Sequence, residues 1–149
     1  ALRPENLFDE ETLRRAKAIN MRYAKLYAGR EETPENSEEE WARLDAFTRQ
    51  SNISSADYHE LRLQMLRDWG EGPVEEHISP EHFELLSQLE HIRWSRFHYL
   101  NNWRFGPMNG DRPKNAAART HYDLQPYESL SEAEKQKDRD TVRVLLGLC

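Results

Sequence analysis

The stretch Leu89-Glu-His-Ile-Arg-Trp94 opens the part of the sequence that decides the fold, and two more aromatic stretches follow it. They read Trp103-Arg-Phe-Gly-Pro107 and His121-Tyr-Asp-Leu-Gln-Pro-Tyr127, and the charged run Lys135-Gln-Lys-Asp-Arg-Asp140 closes the region. Aromatic side chains, glycine and proline turns and paired charges are denser here than elsewhere in the chain. We therefore expect the functional site in this region.

Composition limits the class of protein before any motif is considered. The chain has 149 residues, a net charge of −6, four tryptophans, six tyrosines and one cysteine, Cys149. This length is enough for one domain with a core, and the large rings are expected to anchor that core. The negative charge argues against general binding to nucleic acid or to anionic membranes.

The same composition yields expectations about location and cofactors. No apolar run approaches the roughly 18 residues of a membrane span. A single terminal cysteine leaves neither a disulfide framework nor a cysteine-based zinc site. We therefore expect a cytoplasmic module without a cofactor or metal. Because the sequence starts at Ala1 rather than Met, we expect a fragment of a longer protein or a chain that has lost its Met.

The first half of the sequence is predicted to be helical. Residues 1–8 read as a lead-in, and Asp9 is predicted to cap a first helix whose apolar residues follow a 3-4-3 spacing. The acidic stretch Glu31–Glu40 is interpreted as a solvated loop. A second helix is predicted to run from a cap at Asp45 to Trp69, with a bend at its serine cluster.

The second half combines helices with two short strands. Ser79-Pro80 has the cap-then-proline pattern of a helix start, and this third helix is predicted to continue to Leu100. Short strands are predicted at 103–105 and 119–124, with a polar loop at 108–118 between them. Ser131 and Glu134 form a capping box for a last helix that ends at about Leu146. The apolar face of the third helix is predicted to carry Phe83, Leu86, Leu89, Trp94, Phe97 and Leu100.

The two halves resemble each other. Ile19–Tyr23 aligns with Glu90–Trp94, and Trp41–Asp45 aligns with Tyr127–Ser131. The second match is displaced by 15 residues more than the first, so the second half carries an insertion between its helices. We expect a mainly α fold with short β strands (α+β), in which two tandem helix–turn–helix repeats are related by a pseudo-two-fold axis. The repeats are placed at 9–73 and 79–149 of one compact domain, and the second carries an inserted short-strand and loop segment.

The second half resembles the RyR domain, the repeat found in ryanodine receptors and in many bacterial proteins. The matching residues are Glu90-His91-x-Arg93-Trp94, Trp103-x-Phe105-Gly106-Pro107, His121-x-x-Leu124-x-Pro126-Tyr127-x-x-Leu130 and Lys137-Asp138-Arg139-Asp140. The first half looks like a degenerate partner repeat. The sequence departs from the family at Asn102, where glycine is usual, and in the loop 108–119, which is longer and more basic than usual.

The resemblance implies a regulatory role. In calcium-release channels these repeats belong to the cytoplasmic shell, and in bacteria RyR-like modules accompany nucleotide-binding domains and conflict systems. We therefore expect a non-catalytic sensor module that binds a small nucleotide-like ligand between the third helix and the inserted segment. The candidate ligand-binding residues are Arg93, Trp94, Trp103, Arg104, Phe105, His121, Tyr122 and Tyr127.

Two other functions stay open at this point. The first is a protein-interaction or structural module within a larger multidomain protein, in which the aromatic residues are core and the acidic surface of the first half meets a partner. It predicts no pocket and a contiguous apolar patch around Trp41 or Trp69. The second is an enzyme that acts through His121 with a carboxylate such as Asp123 or Glu90.

Each candidate group also has a structural interpretation. Glu90 and Arg93 fall within the apolar arc of the third helix, where charges need partners. They form an internal ion pair or link to Lys137, Asp138 or Arg139 of the last helix, or else Arg93 binds a phosphate or carboxylate in the groove. The aromatic residues form either core or a stacking platform for a flat ligand. The cations of the inserted segment form either a phosphate-binding rim or a solvated loop; they are Arg104, Arg112, Lys114 and Arg119. The histidines lack the spacing of zinc ligands and are predicted at the surface; they are His82, His91, His98 and His121.

Overall fold

The computed structural model describes residues 4–147, with side chains from Glu10 onward. Over that range the chain forms seven α-helices and one sheet of three short strands. This confirms the prediction of a mainly α fold with short β strands. Two compact units are distinguished, one comprising residues up to His77 together with the chain from Val144 onward, and the other Ile78–Arg143. The pseudo-two-fold relation between repeats stays a prediction.

The first unit is built from five helices and the end of the seventh. The five are α1 (Pro4–Ala28), α2 (Pro34–Ala42), α3 (Ala46–Asp57), α4 (His59–Trp69) and α5 (Val74–His77). The buried core cluster of this unit consists of Ala16, Ile19, Trp41, Ala56, Val144 and Leu145. Trp41 is thus a core residue and does not form the exposed patch that the interaction hypothesis predicted around it.

Two predictions in the first unit were wrong. Asp9 lies within α1 and not before it, because α1 begins at Pro4; residues 1–3 of the predicted lead-in lie outside the described residues. The acidic stretch predicted as a loop is helical from Pro34. Thr33 Oγ1 accepts a hydrogen bond from the backbone N–H of Asn36 at 3.1 Å, and Pro34 occupies the first turn, where its missing N–H costs nothing.

The predicted second helix is divided into α3 and α4, and the break lies at Tyr58 rather than at the serine cluster. Tyr58 keeps helical backbone angles, so the chain bends there and does not stop. Arg62 Nη1 donates to the carbonyl of Ser55 at 2.7 Å and so satisfies an acceptor at the end of α3. The N-cap predicted at Asp45 is present, with Oδ1 accepting from Thr48 N–H at 2.7 Å.

The second unit contains one long helix, the sheet and most of the last helix. The elements are α6 (Pro80–Leu100), β1 (Arg104–Phe105), β2 (Lys114–Asn115), β3 (Thr120–His121), a 3₁₀ turn (Tyr127–Ser129) and α7 (Glu132–Leu146). The strand order is β1-β3-β2, with β1 parallel and β2 antiparallel to β3. The strands fall within the two predicted segments, except β2, which interrupts the predicted loop.

Helix α6 begins and ends where its sequence predicts. Ser79 Oγ accepts from His82 N–H at 3.0 Å at the start. At the end Asn102 has φ 64°, Trp103 N–H donates to His98 O at 2.9 Å and Asn102 N–H donates to Tyr99 O at 3.1 Å. This is a Schellman motif, which needs a left-handed residue, and asparagine adopts that conformation more easily than most residues. The departure from glycine at this position therefore preserves the turn.

The buried side of α6 is more polar than predicted. Leu86 is buried as expected, but Leu100 is 84% exposed. The other buried side chains of the helix are Ser87, Glu90, His91, Arg93 and His98. Since buried polar groups need partners, α6 is the helix on which a polar site is expected. Within residues 4–147, no helix combines the length and the apolar character needed to cross a membrane.

Candidate ligand-binding site

A cavity of about 150 Å³ lies in the second unit, where α6 and α7 meet the segment that begins at β3. Its lining residues are His91, Trp94, His121, Asp123, Glu134, Lys137, Asp138 and Thr141. Two of the predicted ligand-binding residues, Trp94 and His121, line it. Five of the eight lining side chains belong to ionisable acids or histidines, which is unusual for a space this small.

His91 is held between two acceptors. It is 4% exposed, its Nε2 lies 2.8 Å from the carbonyl of Gln125, and its Nδ1 lies 3.2 Å from Oδ2 of Asp138. Because a carbonyl only accepts, Nε2 carries a hydrogen, and the second contact then requires a proton between Nδ1 and Oδ2. Burial lowers the pKa of His91, but the hydrogen bonds to Asp138 and Gln125 outweigh it and the pKa is raised. The pKa of Asp138 is raised, because burial raises it more than the hydrogen bond to His91 lowers it.

Trp94 forms one wall of the cavity and is surrounded by histidines. Its ring centroid lies 5.6 Å from that of His91, 4.1 Å from that of His98 and 4.7 Å from that of His121. Burial lowers the pKa of both His98 and His121 to about 4, so both rings are neutral near pH 7. The prediction that these histidines lie at the surface was wrong for His91, His98 and His121, which are all buried.

Asp123 and Glu134 face each other as two carboxyl groups. Asp123 is 6% exposed, and its Oδ1 accepts no hydrogen bond from any donor among the described residues. Burial and the neighbouring Glu134 raise the pKa of Asp123 to about 7. The hydrogen bond with Asp123 lowers the pKa of Glu134, whose Oε2 also pairs with Lys137 Nζ at 2.6 Å. The pair therefore shares a proton that resides mainly on Asp123 below neutral pH.

The geometry around His121 differs from that of a catalytic dyad. Nδ1 of His121 accepts the backbone N–H of Asp123 at 3.1 Å, so the hydrogen of this neutral ring is on Nε2. Oδ2 of Asp123 lies 4.0 Å from Nδ1, beyond hydrogen-bond distance. The other carboxylate considered, Glu90, is bound to Arg93 instead.

Glu90 and Arg93 form a buried ion pair within α6. Nε of Arg93 lies 3.0 Å from Oε1 and 3.1 Å from Oε2 of Glu90, and Nη2 lies 2.7 Å from Oε1. The arginine is 5% exposed and does not line the cavity. Of the two interpretations of this pair, the structure supports the internal one.

The remaining predicted residues lie outside the cavity. Trp103 and Tyr127 are buried; Lys114 Nζ lies 5.6 Å from the Trp103 ring, and the Tyr127 hydroxyl donates to Glu84, which also binds Arg139. The other three are exposed on the sheet segment; the ring centroids of Phe105 and Tyr122 lie 5.9 Å apart, and Arg104 belongs to the same strand as Phe105. The eight predicted residues are therefore not brought together into one site.

Sequence reasoning did not assign a ligand-binding role to His91, Asp123, Glu134, Lys137, Asp138 or Thr141. The signal that could have pointed to them is the motif Lys137-Asp138-Arg139-Asp140, whose charges follow the capping box of α7. Among the side chains that the structure describes, those of residues 10–147, no group of three or more His, Cys, Asp or Glu is arranged to hold a metal ion.

A larger groove of about 570 Å³ lies in the first unit, along α1 and α2. Its charged lining includes the exposed ion pair of Lys17 and Glu38, with Nζ 3.0 Å from Oε1. The two charges of an exposed ion pair interact with each other and with water, so they need no ligand. We therefore place the candidate site in the smaller cavity, where a buried oxygen is left without a donor.

These features define a small helical module with a buried ion pair and an acidic cavity in its second half. The profile of the RyR domain family matches residues 73–149, just over half of the chain and all of the second unit. The chain belongs to the RyR domain family. Curated proteins and solved structures gave no match to it.

Proposed function

We propose that this RyR domain is a non-catalytic regulatory module and that it binds a small nucleotide-like ligand, with the base in the cavity beside Trp94. The observation that supports the proposal is the cavity itself, because concave sites lined by ionisable groups with shifted pKa values are typical binding sites. Its polar side chains are held in pairs: His91 with Asp138, and Glu134 with Lys137. Such fixed groups suit recognition.

The size of the cavity restricts what enters it. About 150 Å³ corresponds to the liquid volume of roughly five water molecules at ~30 Å³ each. Pockets that enclose a whole drug-sized ligand measure roughly 300–1,000 Å³. The cavity therefore accommodates one end of a nucleotide-like ligand, and the sugar and phosphate lie outside it.

The inserted segment supplies cations near the cavity. Lys114 of β2 is in register with His121 of β3, and His121 lines the cavity. Arg104 of β1 is in register with Thr120, the neighbour of His121. These exposed cations support binding of the phosphate outside the cavity, since phosphate groups are favoured near arginine and lysine.

A thermal-shift screen against nucleotides and cyclic nucleotides tests the proposal. We expect at least one ligand, at a concentration 100 times its Kd, to stabilise the fold by about 2.7 kcal/mol. Two variants at one lining position provide the control. Thr141→Leu is expected to fill the cavity and abolish the shift, whereas Thr141→Ser keeps the hydroxyl and the space and is expected to retain it. Equal shifts in both variants, or none in the native protein, would contradict the proposal.

An interaction module is the second candidate function, and one observation favours it. Leu85, Ile92 and Tyr99 of α6 are all exposed and lie seven residues apart, so they form one apolar line along the helix. Sedimentation of the native protein and of Ile92→Glu tests this candidate by self-association. The interaction hypothesis predicts that the native protein associates as its concentration rises and that Ile92→Glu does not. If both proteins stay monomeric at all concentrations, the hypothesis is contradicted.

A further inference from the structure

We infer that the cavity selects ligands that present a nitrogen-bound hydrogen, such as the exocyclic amino group of a nucleobase, and that Asp123 Oδ1 is the atom that accepts it. This inference rests on the proposed function, because it names the chemistry of the base that the same cavity takes.

The first step is the state of Asp123. Its side chain is almost completely buried and lines the cavity, yet Oδ1 has no donor among the described residues. Buried acceptors of native proteins are nearly always paired, so an orphan beside a cavity indicates a group that the cavity is built to receive. The facing carboxyl group of Glu134 shares a proton with Asp123 but brings no N–H donor to Oδ1.

The second step is the balance of charge around the cavity. Three acids line it, namely Asp123, Glu134 and Asp138, and the two cationic partners are already engaged. Lys137 Nζ binds Glu134 Oε2 at 2.6 Å, and His91 Nδ1 faces Asp138 Oδ2 at 3.2 Å. Asp123 is left without a cationic partner, because its contact is the proton that it shares with Glu134. A phosphate inside the cavity would be repelled by this acidic lining, whereas an N–H group would donate a hydrogen bond to Oδ1.

The third step is the position of Asp123 relative to its neighbours. Its backbone N–H donates to His121 Nδ1, which fixes the residue beside the ring that lines the cavity. Trp94 stands edge-on to that ring, with centroids 4.7 Å apart. The two rings touch each other and line the same cavity as Asp123, so the edge of a base that enters the cavity beside them meets the carboxyl group.

Three pairs of nucleosides that differ only in one amino group provide the test. They are adenosine and purine riboside, guanosine and inosine, and cytidine and 2-pyrimidinone riboside. Calorimetry with the full chain measures each Kd. We expect the amino-bearing member of at least one pair to bind at least fivefold more tightly, since an unpaired buried acceptor typically reduces affinity roughly five- to hundredfold.

Variants assign the preference to one atom. Asp123→Asn has nearly the same shape but replaces one acceptor oxygen with an NH₂ group, and it is expected to lose the preference. Asp57→Asn makes the same chemical change at an exposed position of the first unit and is expected to retain it. Should Asp123→Asn not fold, the ¹³C resonance of the Asp123 carboxyl group in the native protein is followed during the titration, and it is expected to shift.

The outcomes separate the inference from the proposed function. Binding with less than a fivefold preference in every pair overturns the inference and leaves nucleoside binding intact. A preference that persists in Asp123→Asn, or an unmoved carboxyl resonance, also overturns it. No binding of any of the six nucleosides or of their 5′-monophosphates overturns the proposed function, and the inference with it.

Discussion

At the residue scale, the pair of Glu90 and Arg93 explains how α6 carries two charges on its buried side. The fork of the arginine reaches both oxygens of a carboxylate one helical turn away. A buried charge that loses its partner is costly, whereas the pair as a whole is close to neutral for stability. The spacing of three residues made this pairing predictable from the sequence, because residues i and i+3 lie on the same side of a helix.

This pair leads to the first prediction. Arg93→Met is expected to lower the free energy of unfolding by roughly 3–5 kcal/mol, because it removes the guanidinium that donates to both carboxylate oxygens of the buried Glu90. Adding Glu90→Leu removes the second charge, so the double variant is expected to be less destabilised than the sum of the single variants. Urea unfolding of all four proteins measures the coupling. Additive effects within about 0.5 kcal/mol would show that the two side chains do not depend on each other.

Asp123 leads to a pH-dependent prediction. Its pKa in the folded protein is raised from 3.8 to about 7 by burial and by Glu134, so its contribution to stability is complete below about pH 4 and is lost as the pH rises from 4 to 7. Asp123→Asn removes this ionisation. The unfolding temperature of the variant relative to that of the native protein is expected to rise between about pH 4 and pH 7 and to stay constant at higher pH. A difference between the two proteins that does not change with pH would contradict the assignment.

At the element scale, the end of α6 decides where the inserted segment begins. Asn102 turns the chain through a left-handed conformation, and Trp103 then lies buried directly before β1. Gly106 follows β1, and a Cβ at this position would lie 2.4 Å from Cβ of Thr120. The close approach of the two strands therefore depends on a residue without a side chain.

The turn at Asn102 provides the next prediction. Asn102→Gly is expected to retain or slightly increase stability, because glycine adopts positive φ without strain. Asn102→Val is expected to cost roughly 1–2 kcal/mol, since a β-branched residue is strained there. Chemical unfolding compares the three proteins. Equal stability of the valine and glycine variants would mean that the turn does not impose this conformation.

Helix starts were more predictable than helix breaks. Ser79, Asp45 and Ser131 cap helices as their sequence contexts predict. Thr33-Pro34 has the same cap-then-proline pattern as Ser79-Pro80, but its acidic surroundings led to the wrong prediction of a loop. The sequence around Tyr58 contains no pattern that predicts the bend. The hydrogen bond from Arg62 to the Ser55 carbonyl forms only once the chain has bent.

At the scale of the whole molecule, buried neutral histidines set the behaviour in acid. Burial lowers the pKa of His59, His98 and His121 to about 4, against about 6.5 in an unfolded chain. Their contribution to stability is complete above pH 6.5 and is lost as the pH falls through 4, because the unfolded state binds more protons in between.

We therefore expect the melting temperature to fall steadily from pH 6.5 to pH 4. Imidazole NMR assigns the effect to residues: His98 and His121 are expected to stay neutral at pH 5.5, whereas His91, whose pKa is raised by Asp138 and Gln125 against its burial, stays protonated to higher pH. Protonation of His98 and His121 with ordinary pKa values would contradict this account.

The site could be predicted from the sequence only in part. Two of the predicted ligand-binding residues, Trp94 and His121, line the cavity. The region Leu89–Asp140, in which the site was expected, contains every lining residue except Thr141. The pairing of Asp123 with Glu134 and of His91 with Asp138 joins side chains of different elements. Such contacts depend on tertiary packing, which the spacing of residues along the chain does not encode.

Mapping the ligand by NMR tests the central claim, that the cavity of the RyR unit is a binding site. The ¹⁵N-labelled protein is titrated with the nucleotide that stabilises it most in the thermal screen. We predict the largest shifts at the indole N–H of Trp94 and at the amides of His91, His121 and Asp123. Shifts confined to the exposed pair of Phe105 and Tyr122, or to the first-unit groove, with the cavity residues unchanged, would contradict the account.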